Sequence, residues 1–263
     1  MPDELLTQLV ALSRSLGHPE NDYAILGEGN TSARADAETF WVKASGQRLA
    51  SIDAAGFVRV RFDPVLGLLD AGDLSDAHVR EALQAARVPG ADAAMPSVET
   101  VLHALALQLP DVNFVGHTHP TAVNAILCSQ QAEQAIAGRM FPDEIVVCGP
   151  ASAWVPYVDP GVPLARAVND AIRRYLERWN EAPKVILMQN HGFIALGKSA
   201  QQVEQITAMA VKAARVLLGT FSLGGPRFLS VHDVSRIHTR PDEHYRQRVL
   251  DGFARNADHD VKV

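Results

Sequence analysis

The sequence predicts a single domain of the α/β class, and three observations support this. Apolar residues make up 47% of the 263 residues and charged residues 21%, which is typical of a folded domain and unlike a disordered chain. Segments with helical periodicity alternate along the chain with short apolar segments typical of strands. No repeat, low-complexity tract or long linker interrupts them, so we expect one domain over residues 1–263, with a helical extension over about 226–263.

The helices are predicted from apolar residues three and four positions apart, and their ends from Gly, Pro and capping residues. They cover residues 3–16, 75–87, 97–109, 121–128, 164–179, 199–218 and 242–250. Pro96 and Pro110 bound the third of these helices, because proline is tolerated before a helix and stops one. Gly224 and Gly225 mark the one break, which precedes the polar C-terminal region.

The strands are predicted where apolar and polar residues alternate, or where a short apolar run lies between two turns. They cover residues 24–26, 39–43, 57–62, 112–119, 144–148, 185–189 and 193–196. We expect residues 27–32 (GEGNTS) to form a loop, because Gly, Asn and hydroxyl residues favour turns.

The composition excludes several classes of function. With 24 Lys and Arg against 30 Asp and Glu, a net charge of −6 argues against a nucleic-acid partner, which requires a basic face. No segment approaches the roughly 18 apolar residues that a membrane span needs. Two cysteines are too few for a disulfide scaffold, and no signal peptide is visible at the start. We therefore expect a cytoplasmic protein with neither a nucleic-acid nor a membrane partner.

Ten histidines are the unusual count, and two of them lie at the end of a predicted strand. Side chains alternate between the two faces of a strand, so His117 and His119 point the same way and Thr118 points the opposite way. Two imidazoles so placed can bind one metal ion, but a half-buried pair without metal is an equally good interpretation.

A third histidine favours the metal interpretation. His191 lies in a break between two predicted strands, where Gly192 is expected to give the backbone the freedom of a tight corner. Three imidazoles with one open coordination position are typical of catalytic zinc, whereas structural sites more often use thiolates. Cys128 and Cys148 lack the spacing of ligands.

The remaining chemistry-bearing residues are less specific. Glu99 is predicted in the first turn of its helix, where it either interacts with the helix dipole or carries protons beside a metal. His103, on the same helix, is predicted to be a core or interface residue, and His18 and His78 to be solvated. The segment 27–32 and the turn 43–46 (KASG) can each bind an anion with backbone N–H groups. Neither matches a Walker loop or a dinucleotide fingerprint.

Taken together and in order, these motifs resemble the class II aldolase/adducin family over roughly residues 5–220. The resemblance rests on Gly29-Asn30-Thr31-Ser32, Lys43-Ala44-Ser45-Gly46, Pro96-Ser97-Val98-Glu99, and His117-Thr118-His119-Pro120 with Asn190-His191-Gly192. It implies a three-layer α/β/α sandwich around a mostly antiparallel sheet. It also implies a homotetramer with active sites at subunit interfaces. The loops and the tail over 235–250 are most similar to the aldolase half of bifunctional rhamnulose-phosphate aldolase/dehydrogenase proteins.

The resemblance also assigns roles to individual residues. His117, His119 and His191 match the ligands of a Zn²⁺ ion, for which Mn²⁺ or Co²⁺ could substitute. Glu99 matches the acidic residue that transfers a proton beside the metal. The substrate phosphate is expected at Asn30, Ser45, Gly46 and Ser97.

The sequence departs from the family pattern in two places, one that concerns phosphate binding and one that concerns the proton donor. Family aldolases often have a second serine where this chain has Val98, which removes one phosphate-binding hydroxyl. No tyrosine matches the proton donor of fuculose-phosphate aldolase, so the general acid is unassigned.

The resemblance implies a zinc-dependent lyase that reversibly cleaves a C–C bond of a sugar phosphate or hydroxy-keto compound through a metal-stabilised enediolate. A decarboxylase of a 3-oxo sugar acid, phosphorylated or not, would use the same site. A 4-epimerase is less favoured, because its motif has aspartate at the position of Glu99. The three histidines argue against a non-catalytic adducin-like module. An amidohydrolase would carry its histidine pair near the start of the chain.

Overall fold

A computed structural model describes residues 4–72, 74–89 and 94–242. Its centre is a sheet of seven strands in the order β3-β2-β1-β4-β7-β6-β5. The strands are β1 Asn30–Arg34, β2 Thr39–Lys43, β3 Phe57–Arg61, β4 Phe114–Thr118, β5 Ala153–Val155, β6 Val185–Met188 and β7 Gly192–Gly197. Only the β5–β6 pair in this sheet is parallel, so the sheet is mostly antiparallel, as predicted.

Helices cover both faces of the sheet. They are α1 Glu4–Leu16, α2 Phe62–Asp70, α3 Asp76–Ala85, α4 Thr100–Leu107, α5 Thr121–Leu127, α6 Ala132–Ala135, α7 Pro142–Cys148, α8 Val162–Trp179, α9 Ala200–Phe221 and α10 Val231–His238. Helices α2, α3, α4 and α8 pack into one apolar core, and α1, α5, α7 and α9 pack into the other. The alternation along β4 shows the division, because Val115 faces the first core and Phe114 the second. The predicted three-layer α/β/α sandwich is confirmed.

Two predicted strands are wrong. Residues 24–26 form no strand, and residues 144–148 belong to helix α7. Pro142 opens that helix, and Asp143 and Glu144 in its first turn favour it through the helix dipole. Ile145 and Cys148 are both buried, and their spacing of three residues suits one face of a helix, whereas on a strand they would point to opposite faces.

Five elements were missed by sequence analysis. Strand β1 lies where a loop was predicted, and β5, α2, α6 and α10 were not predicted at all. The polar residues of β1 are buried because partners exist for them elsewhere: the Thr31 Oγ1 atom, for example, lies 2.6 Å from the Ser13 Oγ atom of α1. Periodicity in one sequence cannot show such partners.

The structure tests few of the predictions made for the C-terminal region. The helix predicted at 242–250 lies outside the described residues, apart from its first position. The single domain with a C-terminal extension stays a prediction. None of the helices in the described ranges combines the length and apolar character that a bilayer span requires. The cytoplasmic location also stays a prediction.

Candidate active site

The site lies at the edge of the sheet where strand β4 ends and strands β1 and β7 begin. In the β1–β4 ladder Asn30 is directly opposite His117, and in the β4–β7 ladder His117 is opposite Ile194. His117 has the parity of Val115, so it faces the layer that contains α4. The sheet register therefore brings Asn30 and His117 together beneath the start of α4.

The first predicted ligand, His117, is fully buried and its ring is held in one orientation. Its Nδ1 atom lies 3.0 Å from the carbonyl oxygen of Phe193 and donates to it. The Nε2 atom is thereby directed at the other two histidines. A backbone carbonyl behind the ring is the usual support of a metal-binding imidazole.

The other two predicted ligands complete a triad. The Nε2 atom of His119 lies 3.0 Å from the Nε2 atom of His117. The ring of His191 lies with its centroid 5.0 Å from that of His117 and 5.2 Å from that of His119. Potential ligand atoms of all three lie within 4.8 Å of one another, and this is the cluster of metal-binding character found among the described residues.

The turn that carries His191 differs in one respect from the prediction. The left-handed residue is Asn190, with φ of 54°, and not Gly192. Glycine is required at 192 for space, because a Cβ atom there would lie 2.6 Å from the Cδ2 atom of His119 and 2.6 Å from the Thr118 carbonyl oxygen. The Asn124 side chain also holds this turn, since its Nδ2 atom donates to the His191 carbonyl oxygen at 3.0 Å.

Glu99 reaches the triad from the start of α4. It occupies the N-cap position, and the helix begins at Thr100, so the prediction that Glu99 lies in the first turn is wrong by one position. Its Oε1 atom lies 3.1 Å from the His191 Nε2 atom and its Oε2 atom 3.6 Å from the His117 Nε2 atom. The carboxylate therefore faces two of the three imidazoles.

The protonation of these groups follows from their surroundings. Burial alone raises the pKa of a carboxyl group, but His117 and His191 outweigh it and hold the pKa of Glu99 well below its ordinary value. Burial opposes a charge on His117, yet Glu99 raises the pKa of that imidazole. Burial and the neighbouring His117 lower the pKa of His119 to about 3. Glu99 is thus ionised and His119 neutral near pH 7.

These residues fit a divalent metal ion. Two imidazole nitrogens at 3.0 Å need a proton or a metal cation between them, because two lone pairs repel each other. His119 is neutral and can offer its lone pair, and Glu99 supplies a nearby negative charge. Three imidazoles without a thiolate suit Zn²⁺, and also Mn²⁺ or Co²⁺ less selectively.

The predicted substrate-binding residues divide into two groups. Ala44 forms an isolated bridge with Pro96, and the Ser45 N–H donates to the Met95 carbonyl oxygen at 2.8 Å. This contact brings the turn containing Ser45 and Gly46 beside Ser97. Gly46 has φ of +79°, which favours glycine.

Asn30, by contrast, makes up the second group. It is buried against Glu99, and its Nδ2 atom donates to the Glu99 Oε2 atom at 2.6 Å. The phosphate-binding role of all four residues stays a prediction.

Sequence analysis missed part of the site's support. The buried Lys43 Nζ atom donates to the carbonyl oxygens of Gln47, at 2.7 Å, and Gly27, at 3.4 Å, and so ties the two predicted anion-binding loops together. Burial lowers the pKa of Lys43, against the opposing effect of Glu99.

His103 is a second supporting residue. It is buried as predicted, but it also bonds to Asn30 and Ser32. The sequence held one signal for this role: His103 comes four residues after Glu99, and residues four apart lie on the same face of a helix.

The chain is similar to proteins of known sequence and structure. It is 29% identical over 196 residues to a Bacillus subtilis (strain 168) protein named uncharacterized oxidoreductase YuxG, covering 72% of this chain. The matched region is 26% of YuxG, so the chain spans about a quarter of that protein's length.

Solved structures share the fold. An L-fuculose 1-phosphate aldolase matches with a TM-score of 0.67 at 17% identity, covering 90% of this chain and 96% of the other. YgbL from Escherichia coli, described as a putative aldolase/epimerase/decarboxylase, matches with a TM-score of 0.66 at 18% identity over 90% and 98%. The N-terminal class II aldolase domain of a Thermoplasma acidophilum protein matches with a TM-score of 0.65 at 24% identity over 83% and 95%.

The family itself is shown by sequence. The profile of the class II aldolase and adducin N-terminal domain matches residues 7–218, which include every residue of the histidine triad and Glu99. The chain therefore belongs to the class II aldolase and adducin family.

Proposed function

We propose that this chain is a Zn²⁺-dependent lyase that reversibly cleaves a C–C bond of a sugar phosphate or a related hydroxy-keto compound. The observation that carries the proposal is the ionised carboxylate of Glu99 within 3.1 Å of His191 and 3.6 Å of His117, at the edge of a three-imidazole cluster. A binding module needs no such proton carrier beside a metal site, whereas carbanion chemistry does.

His117, His119 and His191 would hold the ion. When bound, a divalent ion supplies Lewis-acid polarisation of a carbonyl group and compensates the negative charge that C–C cleavage leaves on its oxygen. The carboxylate of Glu99 then takes up or delivers the proton at the reacting carbon. Asn30 holds the Oε2 atom of that carboxylate, which leaves Oε1 on the side of His191.

The loops beside Glu99 would bind the anionic end of the substrate. Ser45, Gly46 and Ser97 lie together through the Ala44–Pro96 bridge. Hydroxyl groups and a glycine with positive φ suit a phosphate or a carboxylate. Val98, exposed beside them, offers no hydroxyl, so a sugar acid is as suitable a substrate as a sugar phosphate.

The proposal is tested first by metal content and then by a substrate panel. The protein as purified is expected to carry about one divalent ion per chain by elemental analysis, and His117→Ala to lose it. Aldehyde and CO₂ release would then be assayed on phosphorylated and unphosphorylated ketoses and 3-oxo acids. Aldehyde release supports the aldolase and CO₂ release without aldehyde supports the decarboxylase. A chain whose metal content is unaffected by His117→Ala contradicts the lyase proposal.

We also propose a homotetramer with active sites at subunit interfaces. Ile25 and Leu26 are 61% and 70% exposed, and Ile25 lines a cleft with His119. Exposed apolar side chains beside a site favour coverage by another subunit. Light scattering during size-exclusion chromatography should give a mass about four times the 28.4 kDa of one chain, and a monomer mass would contradict this.

A further inference from the structure

A buried histidine that takes no part in the chemistry above lies behind the site. His103 is on α4, one turn after Glu99, and is fully buried. Its Nε2 atom contacts the Asn30 Oδ1 atom, and its Nδ1 atom lies 2.7 Å from the Ser32 Oγ atom. A chain of polar groups thus runs from Ser32 through His103 and Asn30 to Glu99.

Each proton in this chain can be assigned from chemistry. The Asn30 Nδ2 group donates to the Glu99 Oε2 atom at 2.6 Å, so this is the part of the amide that faces the carboxylate. The Asn30 Oδ1 atom therefore faces His103, and because an amide oxygen only accepts, the Nε2 atom of His103 must carry hydrogen. Burial lowers the pKa of His103 to about 3, so it holds one proton only. Its Nδ1 atom then accepts from the Ser32 hydroxyl.

The amide of Asn30 has a second orientation that this arrangement disfavours. Rotated by half a turn, it would place Oδ1 against the Glu99 carboxylate, where two acceptors repel. With no donor at His103, the buried Oδ1 atom would be unpaired, which is unfavourable and weakens the preference for the observed orientation. The donor at His103 therefore favours the orientation in which Asn30 donates to Glu99.

We propose that His103 is a positioning residue, held by Ser32, that orients the Asn30 amide and through it the carboxylate of Glu99. The proposal rests on the proposed lyase function for its effect on turnover, but the hydrogen-bond arrangement itself does not depend on that function. It assigns a task to a histidine that would otherwise be a packing residue.

The arrangement is tested without any activity measurement. In the full chain labelled with ¹⁵N-histidine, NMR should show His103 as the neutral tautomer protonated at Nε2, with no titration near neutral pH. Ser32→Ala removes the donor to Nδ1 but leaves the Asn30 Oδ1 acceptor, so the tautomer protonated at Nε2 should remain the major form. A His103 protonated at Nδ1 in the wild-type chain would overturn the proposal.

Two substitutions of His103 separate positioning from packing. Glutamine extends an amide N–H to about the place of Nε2, so His103→Gln should keep the bond to Asn30. Asparagine reaches only the place of Nδ1, so His103→Asn should lose it. We expect kcat to fall about 10- to 100-fold in His103→Asn with KM and metal content unchanged, and to be largely retained in His103→Gln.

The outcomes are distinguishable. Equal kcat in both variants and the wild type, or equal losses of kcat and melting temperature in both, would overturn the positioning role. If His103→Asn does not fold, Ser32→Ala tests the support of the His103 ring instead, with reduced kcat as the expected result and unchanged kcat as the contrary one. A wild-type chain that releases neither aldehyde nor CO₂ would refute the lyase, while the NMR result would still decide the hydrogen-bond arrangement.

Discussion

At the scale of single residues, Glu99 combines burial with a negative charge. A buried carboxyl group ordinarily becomes neutral, but His117 and His191 lie 3.6 Å and 3.1 Å away and hold its pKa down. The Glu99 carboxylate contacts Asn30 on β1, His117 on β4 and His191 in the turn after β6. Its orientation therefore does not depend on α4 alone. This is the arrangement expected of a proton carrier and not of a residue that only caps a helix.

Replacing Glu99 by glutamine should therefore separate chemistry from binding. Glu99→Gln keeps the shape and removes the base, so we expect unchanged metal content and a fall in kcat of about 10²–10⁴-fold. Glu133→Gln, at an exposed carboxylate of α6, is the matched control and should leave turnover unaltered. An unaltered rate in Glu99→Gln would refute the proton-carrier role.

At the scale of elements, the turn between β6 and β7 determines where His191 and His119 lie. The sequence Asn190-His191-Gly192 predicted a tight corner, and the structure shows that the two flanking residues serve different purposes. Asn190 adopts the left-handed conformation, and Gly192 allows the close approach of His119. Glycine's lack of a side chain matters more here than its backbone freedom.

The substitution Gly192→Ala tests this approach. The new methyl group would lie 2.6 Å from both the His119 Cδ2 atom and the Thr118 carbonyl oxygen, so the ring or the turn must move. We expect metal affinity to fall about 10- to 100-fold, measured by competition with a chelating dye. Gly27→Ala is the control, because nothing lies within 4 Å of its added Cβ atom. Equal affinities in the two variants would contradict the prediction.

At the scale of the whole molecule, the triad links separate parts of the chain. His117 and His119 lie at the end of β4, His191 follows β6, and Glu99 precedes α4. An ion bound at this point would connect the centre of the sheet to the helix layer above it. Metal binding to the folded chain alone must then stabilise the fold.

Metal removal should for this reason lower the melting temperature. A free metal concentration about 100 times Kd stabilises the folded state by about 2.7 kcal/mol, which chelation would remove and reloading restore. Differential scanning calorimetry with and without a chelator gives the shift. His117→Ala should show no such shift. If the wild-type chain melts at the same temperature with and without the chelator, the triad holds no stabilising ion.

The sequence by itself determined the class of fold and the residue types of the site. Helical periodicity located α1, α8 and α9 closely, and alternation located β2 exactly at residues 39–43. The histidine pair, the third histidine and Glu99 were identified from residue types and order, with the family resemblance supplying their roles. These features are local or lie in short motifs, which one sequence can show.

Only the tertiary structure decided which of these residues meet. The start of strand β1 was predicted as a loop because its polar residues favour turns. In the structure these residues are paired by α1, α4 and β4, which are distant in sequence. The ladder that sets Asn30 opposite His117, and the chain from Ser32 through His103 to Glu99, depend on register and on packing between layers. Hydrogen bonds over such separations leave no periodic signal, so the support of the site could be found only in three dimensions.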